Sequence, residues 1–247
     1  MPVISPLHNA GFQNRLSFVY DGIDERVEVT NHASFNFAHT DAYTLQKYFE
    51  LNGIGITQVL CGKRFGNATY GYVLYVTTAN ILEMLIQGTA GGRIRVVSTT
   101  VLAASTYYQV HCTVDGSANA NGVKIYLDGV DDTGAIVQNN LTTTSANTAN
   151  LMFARQPAVT IPFYMAGYHD EVAVWNVALT PGQVLETRQG TKPKSLKSHS
   201  QFANCILWHR NGDGDTFNVT TDHSPLAFNH GTQVNMETAD TQTHVPV

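Results

Sequence analysis

Acidic residues are grouped in one polar, glycine-containing stretch towards the C-terminal end of the sequence. Asp213, Asp215 and Asp222 lie there among Gly, Asn and Thr residues. Carboxylate and carbonyl oxygens are the hard ligands that calcium prefers, so this stretch is a candidate calcium site. The complete loop of an EF-hand is absent, which excludes that class of site. The alternative is that each aspartate caps a turn through hydrogen bonds to its own backbone.

Other residue types that carry out catalysis are present without a recognisable catalytic motif. The ten histidines are scattered and lack the His-Glu-x-x-His spacing of zinc hydrolases. Glu50, Glu83, Glu171 and Glu186 could act as acids or bases, but a glycosidase needs two carboxylates that face each other. Neither a Gly-x-Ser-x-Gly elbow nor a P-loop occurs. We therefore predict that the protein is not an enzyme.

Tyrosines form a third group with possible binding chemistry. Tyr70, Tyr72, Tyr75, Tyr107 and Tyr108 lie in segments with the composition of β-strands. Strand alternation places Tyr70 and Tyr72 on one face and Tyr75 on the other, so at least one ring faces outward. Exposed aromatic rings with a few polar groups are a common way to bind sugars. The alternative is that these tyrosines pack the core of the protein.

Composition limits the classes of protein that could present these residues. Charged residues make up 13% of the 247 residues, hydrophobic residues make up 43%, and the net charge is -5. So few charges argue against a helical bundle, whose wet faces need Glu, Lys and Arg. The acidic balance argues against a nucleic-acid partner. No apolar run reaches the roughly 20 residues of a membrane helix, so no membrane insertion is expected.

The cysteines and the N-terminal sequence bear on the compartment. Cys61, Cys112 and Cys205 are odd in number and far apart, which predicts buried free thiols rather than a disulfide framework. The first residues lack the basic and apolar regions of a signal peptide. We therefore expect a protein made and assembled in a reducing cytoplasm.

The elements that would position all of these side chains are mostly strands. Thr180, Pro181 and Gln183 have the spacing of a capping box and predict one short helix near residues 180–189. The stretch 139–150 is predicted to be a long loop with one weak strand. Strand-like segments recur at intervals of about 8–12 residues: they lie at 15–29, 42–51, 57–61, 70–77, 81–87, 93–98, 107–114, 123–127, 150–155, 164–178 and 206–209. The predicted fold class is all-β, an antiparallel jelly-roll sandwich.

Three stretches go beyond a general β pattern. They read LSFVYDGIDERVEV at 16–29, VKIYLDGV at 123–130 and MAGYHDEVAVWNVALTP at 165–181. In this order and at these separations they resemble the laminin-G-like, concanavalin A-like jelly-roll family. The resemblance covers about residues 16–189 and implies that the short helix follows the closing strand. Family membership alone does not determine function.

One departure from the family pattern concerns the strand that usually comes first. Its motif is absent from the N-terminal end and occurs instead as ILWHRNGDGD at 206–215 and DHSPLAFNHGT at 222–232. The chain therefore looks circularly permuted, with residues 1–247 forming a single domain and residues 200–247 supplying that strand beside 170–177, with Trp208 packed inside. Permutation is tolerated where the termini of a domain lie close together. Alternatively, residues 200–247 complete a neighbouring subunit.

The resemblance also implies a metal site. In the family a structural calcium often ties the opening strand to the closing one, which here implicates Asp222 and Asp170, with Asp21 and Asp213 as further ligands. Pro225 stands where the family motif has glycine, and this departure weakens the implied site.

The C-terminal segment reads GDGDTF at 212–217 and has Val-Pro at its end, and in these features it also resembles laminin-G-like virion proteins of tailed bacteriophages. The first hypothesis is therefore a non-enzymatic structural or adhesion protein of a virion, as a capsid decoration or tail-associated subunit, assembled in the host cytoplasm. Its expected partners are other virion proteins, further copies of the chain and a host surface glycan. A carbohydrate-binding lectin module is the second hypothesis. A glycoside hydrolase or lyase of the same fold is the third.

Overall fold

Two large antiparallel sheets face each other as a sandwich. The computed structural model describes residues 12–65, 70–155 and 163–247, and the main hydrophobic core of these residues draws on strands of both sheets. The predicted all-β, concanavalin A-like jelly roll with one short helix is confirmed.

Strands account for nearly all of the regular structure. In chain order they are β1 (Ser17–Asp21), β2 (Arg26–Val29), β3 (Ala42–Leu51), β4 (Gln58–Phe65), β5 (Tyr70–Val76), β6 (Leu82–Gln87), β7 (Arg93–Ser98), β8 (Tyr107–Asp115), β9 (Val123–Leu127), β10 (Val130–Asp131), β11 (Thr133–Asn139), β12 (Leu151–Phe153), β13 (Ala166–Trp175), β14 (Arg188–Gln189), β15 (Lys192–Pro193), β16 (Cys205–His209), β17 (Val219–Thr220), β18 (Gly231–Val234) and β19 (Thr241–Gln242). Short 3₁₀ turns lie at Ala33–Phe35, Ala120–Gly122, Leu196–Ser198, Phe202–Asn204 and Thr238–Asp240.

The single α-helix of the described residues is α1 (Pro181–Glu186). No helix in these parts of the chain combines the length and the hydropathy that a membrane span requires.

Strands that are distant in sequence lie side by side in both sheets. Sheet A has the order β10-β9-β8-β3-β13-β1-β19, and β16 also pairs with β13. Sheet B has the order β11-β7-β6-β5-β4-β12-β2-β18-β17. A separate ribbon of β14 and β15 follows the helix.

The main core fills the space between the sheets, because alternate residues of each strand point inward. In β3, Leu45, Phe49 and Leu51 are buried in this core. Lys47 shares their face and is 1% exposed, and its Nζ donates to the Leu60 carbonyl at 2.5 Å. The three cysteines are buried and free, as predicted.

Part of the outer face of sheet A is covered by α1 and the chain around it. Val184 of the helix packs in a second cluster with Trp175 and Trp208. The helix begins with the predicted capping box: Thr180 Oγ1 accepts the Gln183 N–H at 3.4 Å, and Gln183 Oε1 accepts the Thr180 N–H at 2.9 Å. The helix is shorter than the predicted range because Arg188 and Gln189 turn into β14.

The C-terminal segment pairs with strands of the same chain. In β16, His209 lies opposite Val172 and Leu207 opposite Val174 of β13, which confirms the predicted strand at 206–209 and its neighbour. Trp208 is buried beside β13, as predicted. It belongs to the cluster beneath α1, because its neighbour Leu207 takes the inward position. The circular permutation itself stays a prediction.

The stretch between β10 and β12 differs from the prediction. A strand forms at Thr133–Asn139, where it is exposed at the edge of sheet B and carries little apolar alternation. The predicted weak strand within 139–150 is absent from the structure. Polar groups of this loop bond to other segments instead, as when the Ser145 hydroxyl donates to the Phe37 carbonyl at 2.9 Å.

Candidate functional site

An open groove lies at the end of sheet A where β3 ends and β8 begins. Its volume is about 440 Å³. Tyr48, Glu50, Tyr107 and Asp128 line one side, and residues 243–247 line the other. We call this site the tyrosine groove.

Strand register places Tyr107 on the outer face. Glu50 lies opposite Tyr107 on one neighbouring strand and opposite Tyr168 on the other, so the three side chains share a face. Tyr108, the next residue of β8, points the other way and packs against Phe49 with ring centroids 5.9 Å apart. Tyr107 therefore faces outward into the groove, and Tyr108 also contributes to its lining.

His244 forms one wall of the groove. Its Nε2 lies 2.9 Å from Glu50 Oε2, and its ring centroid lies 4.2 Å from that of Tyr168 and 5.3 Å from that of Tyr107. Burial raises the pKa of Tyr107, so its hydroxyl stays protonated and donates to the His244 carbonyl at 2.7 Å. These contacts fix the orientation of the Tyr107 ring.

Asp128 stands on the other side of the groove in the turn between β9 and β10. Asp128 and Gly129 have φ values of 52° and 83°, as in the tight hairpin turns that Asp-Gly favours. The Asp128 carboxylate accepts the Gln109 N–H at 3.0 Å and lies 3.4 Å from Arg188 Nη1. Its side chain is 44% exposed, so it can also accept a hydrogen bond from a ligand.

Two buried polar groups in the lining of the groove lack hydrogen-bond partners among the described residues. The Tyr48 hydroxyl and Gln109 Oε1 are buried and have no hydrogen-bond partner among the described residues, although Gln109 Nε2 donates to Thr187 Oγ1 at 2.7 Å. Buried polar groups in proteins are almost always paired with protein or with ordered water. The lining therefore has hydrogen-bonding capacity that the protein does not use.

The groove has the chemistry of a small-molecule site. Its volume lies within the roughly 300–1,000 Å³ of such sites. The Tyr107 ring offers an apolar face, and the carboxylates of Glu50 and Asp128 offer acceptors for hydroxyl groups. An apolar face bordered by hydroxyl acceptors is what a sugar ring requires.

Asp222, one of the predicted calcium ligands, is used entirely within the chain. Its Oδ1 accepts the N–H groups of Trp208 at 3.0 Å and Ser224 at 2.9 Å. Its Oδ2 accepts the Ser224 hydroxyl at 3.0 Å and the Asn229 N–H at 3.1 Å. The carboxylate ties the following loop to β16, which corresponds to the turn-capping alternative.

Asp170 and Asp213 lie near each other, and each is engaged by other groups of the protein. Asp170 accepts hydrogen bonds from Asn14 Nδ2 at 2.6 Å and from the Glu171 N–H at 2.8 Å. Burial, and then the charge of Glu171, raises the pKa of Asp170 well above its usual value, and Asp213 raises it further. Asp213 itself lies 3.4 Å from Arg210 Nη2.

Asp21 is separate from both Asp222 and the Asp170–Asp213 pair, at the end of β1, where it accepts the Ile23 N–H at 2.7 Å. Across residues 12–65, 70–155 and 163–247, no three His, Cys, Asp or Glu side chains are grouped so that they could hold a metal ion. The structure thus does not bring the four predicted ligands together at one place. Calcium binding stays a prediction, which a change in melting temperature on adding EDTA would check.

The other candidate residues are dispersed. Of the predicted tyrosines, Tyr72 is buried against Tyr43, with ring centroids 5.3 Å apart, and Tyr75 lies on the opposite face of β5. Of the four candidate glutamates only Glu50 lines the groove: Glu83 lies on β6, Glu171 on β13 and Glu186 on α1. The sequence provided no functional signal for Tyr48, Gln109 or His244.

The fold is that of the concanavalin A-like class of sandwich proteins. A family model described as the concanavalin A-like lectin/glucanases superfamily (Laminin_G_3) matches residues 21–185. The chain belongs to this superfamily, as the sequence motifs predicted. No curated protein matches the sequence.

Solved structures with the same fold share little sequence with the chain. A protein from Bacteroides ovatus assigned to carbohydrate binding is 15% identical with a TM-score of 0.63, over 96% of this chain and 62% of that one. A heptameric SAP-like pentraxin from Limulus polyphemus is 15% identical with a TM-score of 0.53, over 76% and 90% of the two chains. The CBM40 of a Ruminococcus gnavus IT-sialidase, bound to α2,3-sialyllactose, is 14% identical with a TM-score of 0.50, over 69% and 96%. This chain thus spans less than two thirds of the Bacteroides protein.

Proposed function

We propose that this chain is a non-catalytic carbohydrate-binding module that holds a glycan in the tyrosine groove. The observation that carries the proposal is the placement of Tyr107 between Glu50 and Asp128, beside the Tyr48 hydroxyl and Gln109 Oε1, which have no hydrogen-bond partner among the described residues. A sugar supplies both an apolar C–H face for the ring and hydroxyl groups for the polar atoms.

In the proposed complex the apolar face of one sugar ring packs on Tyr107. Its hydroxyl groups donate to Glu50 Oε1 and to the exposed oxygen of Asp128. The contact of Glu50 Oε2 with His244 Nε2, at 2.9 Å, holds the glutamate in place before the glycan arrives. Such pre-ordering lowers the entropic cost of binding.

The neighbours in fold give this proposal its context. The Bacteroides protein is assigned to carbohydrate binding, and the Ruminococcus module is described as bound to a sialylated sugar. At 14–15% identity these proteins share the fold, so the groove itself is the argument for binding by this chain.

A glycoside hydrolase or lyase is the alternative that the same groove admits, because Glu50 and Asp128 both line it. Activity on a polysaccharide that disappears in Glu50→Gln would establish that alternative, since removing a general acid or base lowers the rate by a factor of about 10² or more. We propose that the chain has no such activity.

We further propose that the module serves adhesion on a bacteriophage virion, as a capsid decoration or a tail-associated subunit. The sequence resemblance of residues 200–247 to virion proteins motivates this setting. Several copies on one particle would turn weak binding of single glycans into strong attachment. Mass spectrometry of purified particles should detect the chain, and its absence from the particles would remove this setting.

A glycan array tests the binding proposal. The full chain should bind a defined set of glycans, and Tyr107→Ala should weaken binding at least tenfold because the stacking surface is lost. Tyr168→Ala is the matched control, because Tyr168 also packs on His244 but does not line the groove. Equal binding by Tyr107→Ala and the unaltered chain would rule out the groove as the site.

A further inference from the structure

A second cavity, of about 230 Å³, lies on sheet B. Its floor is formed by Val59, Val73 and Leu85, which pack as a small cluster separate from the main core. Arg64 and Tyr75 form its walls. We call this site the arginine cavity. It differs from the tyrosine groove because its polar wall is cationic.

Strand register brings a second arginine into the same row of sheet B. Arg64 lies opposite Gly71 of β5, Gly71 opposite Gln87 of β6, and Gln87 opposite Arg93 of β7. Gly71 has no side chain, and the Arg64 guanidinium reaches across it to Gln87, with Nη2 3.2 Å from Oε1. Arg95 follows on the same face of β7, opposite Leu85.

The positive charge of this row is only partly compensated. Glu83 binds Arg95 through two contacts of 2.6 and 3.0 Å. Arg93 has no ion pair within the described parts of the chain, and its Nε is buried with no hydrogen-bond partner there. Every aspartate and glutamate of the chain lies in those same parts. Burial, and then the charge of Arg93, lowers the pKa of Arg64.

The guanidinium groups of Arg64 and Arg93 lie in one row of sheet B, in a protein whose net charge is -5. This local positive charge favours binding of an anion. A carboxylate fits best, because guanidinium forks bind it through paired, charge-assisted hydrogen bonds. The apolar floor and the half-buried Tyr75 ring require that the same ligand also carry an apolar face. The cavity volume limits the bound portion to about one ring.

We propose that an acidic sugar binds at the arginine cavity, with its ring on Tyr75 and the apolar floor and its carboxylate reaching from Arg64 towards Arg93, which lies outside the cavity lining in the same row of the sheet. That the ligand is a saccharide rests on the proposed function. The requirement for a carboxylate beside an apolar face comes from the cavity itself. The chain would then hold two different glycan sites, one on each sheet.

Calorimetric titration of the full chain tests this site with defined probes. The probes are the methyl glycosides of glucuronic acid, galacturonic acid and N-acetylneuraminic acid, methyl glucoside, and methyl glucoside 6-sulfate. At least one carboxylated sugar should bind tenfold or more tightly than methyl glucoside, and this affinity should fall as salt is raised. If no carboxylated sugar binds better than methyl glucoside, the proposal is wrong. Equal binding of the sulfated sugar would also overturn the carboxylate assignment.

Variants assign any such binding to the cavity. Arg93→Gln should weaken binding of the acidic sugar about tenfold or more, and Arg93→Lys should weaken it less because the charge remains while the fork is lost. Arg26→Gln is the matched control, an arginine of the same sheet that is paired with Glu28 and lies neither in the cavity lining nor in the row that joins Arg64 to Arg93. Unchanged affinity in both Arg93 variants would overturn the proposal.

The proposals for the two sites can be tested independently of each other. Tyr107→Ala should leave binding of the acidic sugar intact, whereas Arg93→Gln should leave binding in the tyrosine groove intact. Loss of acidic-sugar binding in Tyr107→Ala would move that ligand to the groove and overturn the second site without affecting the first.

Discussion

Three buried histidines make the stability of the protein depend on pH. His111, His169 and His209 are inaccessible to solvent, and burial is the main cause that lowers the pKa of each. That of His111 falls to about 3 and that of His209 to about 4, while that of His169 falls well below its usual value. The unfolded chain binds protons at these residues near pH 6.5 and the folded chain does not. Their contribution to stability is therefore complete above pH 6.5 and is lost as the pH falls towards 3.

His111→Gln isolates one of these protons. His111 lies near His199 and Arg188 and 3.2 Å from Thr187 Oγ1. Between pH 6 and pH 4, the free energy of unfolding of the variant should fall less steeply than that of the unaltered chain, by about 1.4 kcal/mol per pH unit. Urea denaturation at several pH values measures both slopes. Equal slopes would mean that His111 is protonated in the folded state.

At the residue scale, sequence reasoning found single members of the groove but not the set. Tyr107, Tyr108 and Glu50 were named as candidates in separate classes, as a sugar-binding pair and as a possible acid. These side chains are neighbours because of the register between β3 and β8. The hydrophobic pattern of the sequence does not predict that register. His244 comes from a segment with no strand signal.

At the scale of elements, helix α1 begins with the capping box that the sequence predicts. The helix has only six residues, so its end contributes a large share of its hydrogen bonds. Thr180→Ala removes the acceptor for the Gln183 N–H and should lower the free energy of unfolding by about 1 kcal/mol. Urea denaturation measures the change. The exposed Thr142, outside any helix or strand, gives the control Thr142→Ala, which should have little effect; equal losses in both variants would contradict the role of the cap.

Strands with a buried face were predictable and strands without one were not. In β3, β5 and β13 the apolar residues that alternate along the strand pack in the main core, as do Leu45 and Phe49 of β3, and this alternation is a strand signal. The exposed edge strand β11 and the two-residue strands β17 and β19 bury too little for such a signal. The inward Lys47 follows the alternation of β3, but its charge hides it from a hydrophobic pattern.

At the scale of the whole molecule, the C-terminal segment joins both sheets. It supplies β16 and β19 to sheet A and β17 and β18 to sheet B. Removing residues 200–247 would expose one edge of β13 and of β2, together with the apolar cluster around Trp175. Unpaired edges and apolar patches of this kind lead to aggregation.

We therefore expect a chain of residues 1–199 to be insoluble or unfolded, as judged by circular dichroism and size-exclusion chromatography. The unaltered chain prepared in the same way is the control. A truncated chain that stays a cooperative, folded monomer would contradict this view. The segment would then be an arm that engages another subunit.

The central claim is that a glycan binds in the tyrosine groove without being cleaved. Mapping of NMR chemical-shift changes on the labelled chain, titrated with the glycan that binds best on the array, tests it most directly. We expect the largest changes at Tyr107, Glu50 and Asp128, with the glycan signals unchanged over time. Changes confined to other parts of the molecule, no change with any glycan, or the appearance of cleaved sugar would each contradict the claim.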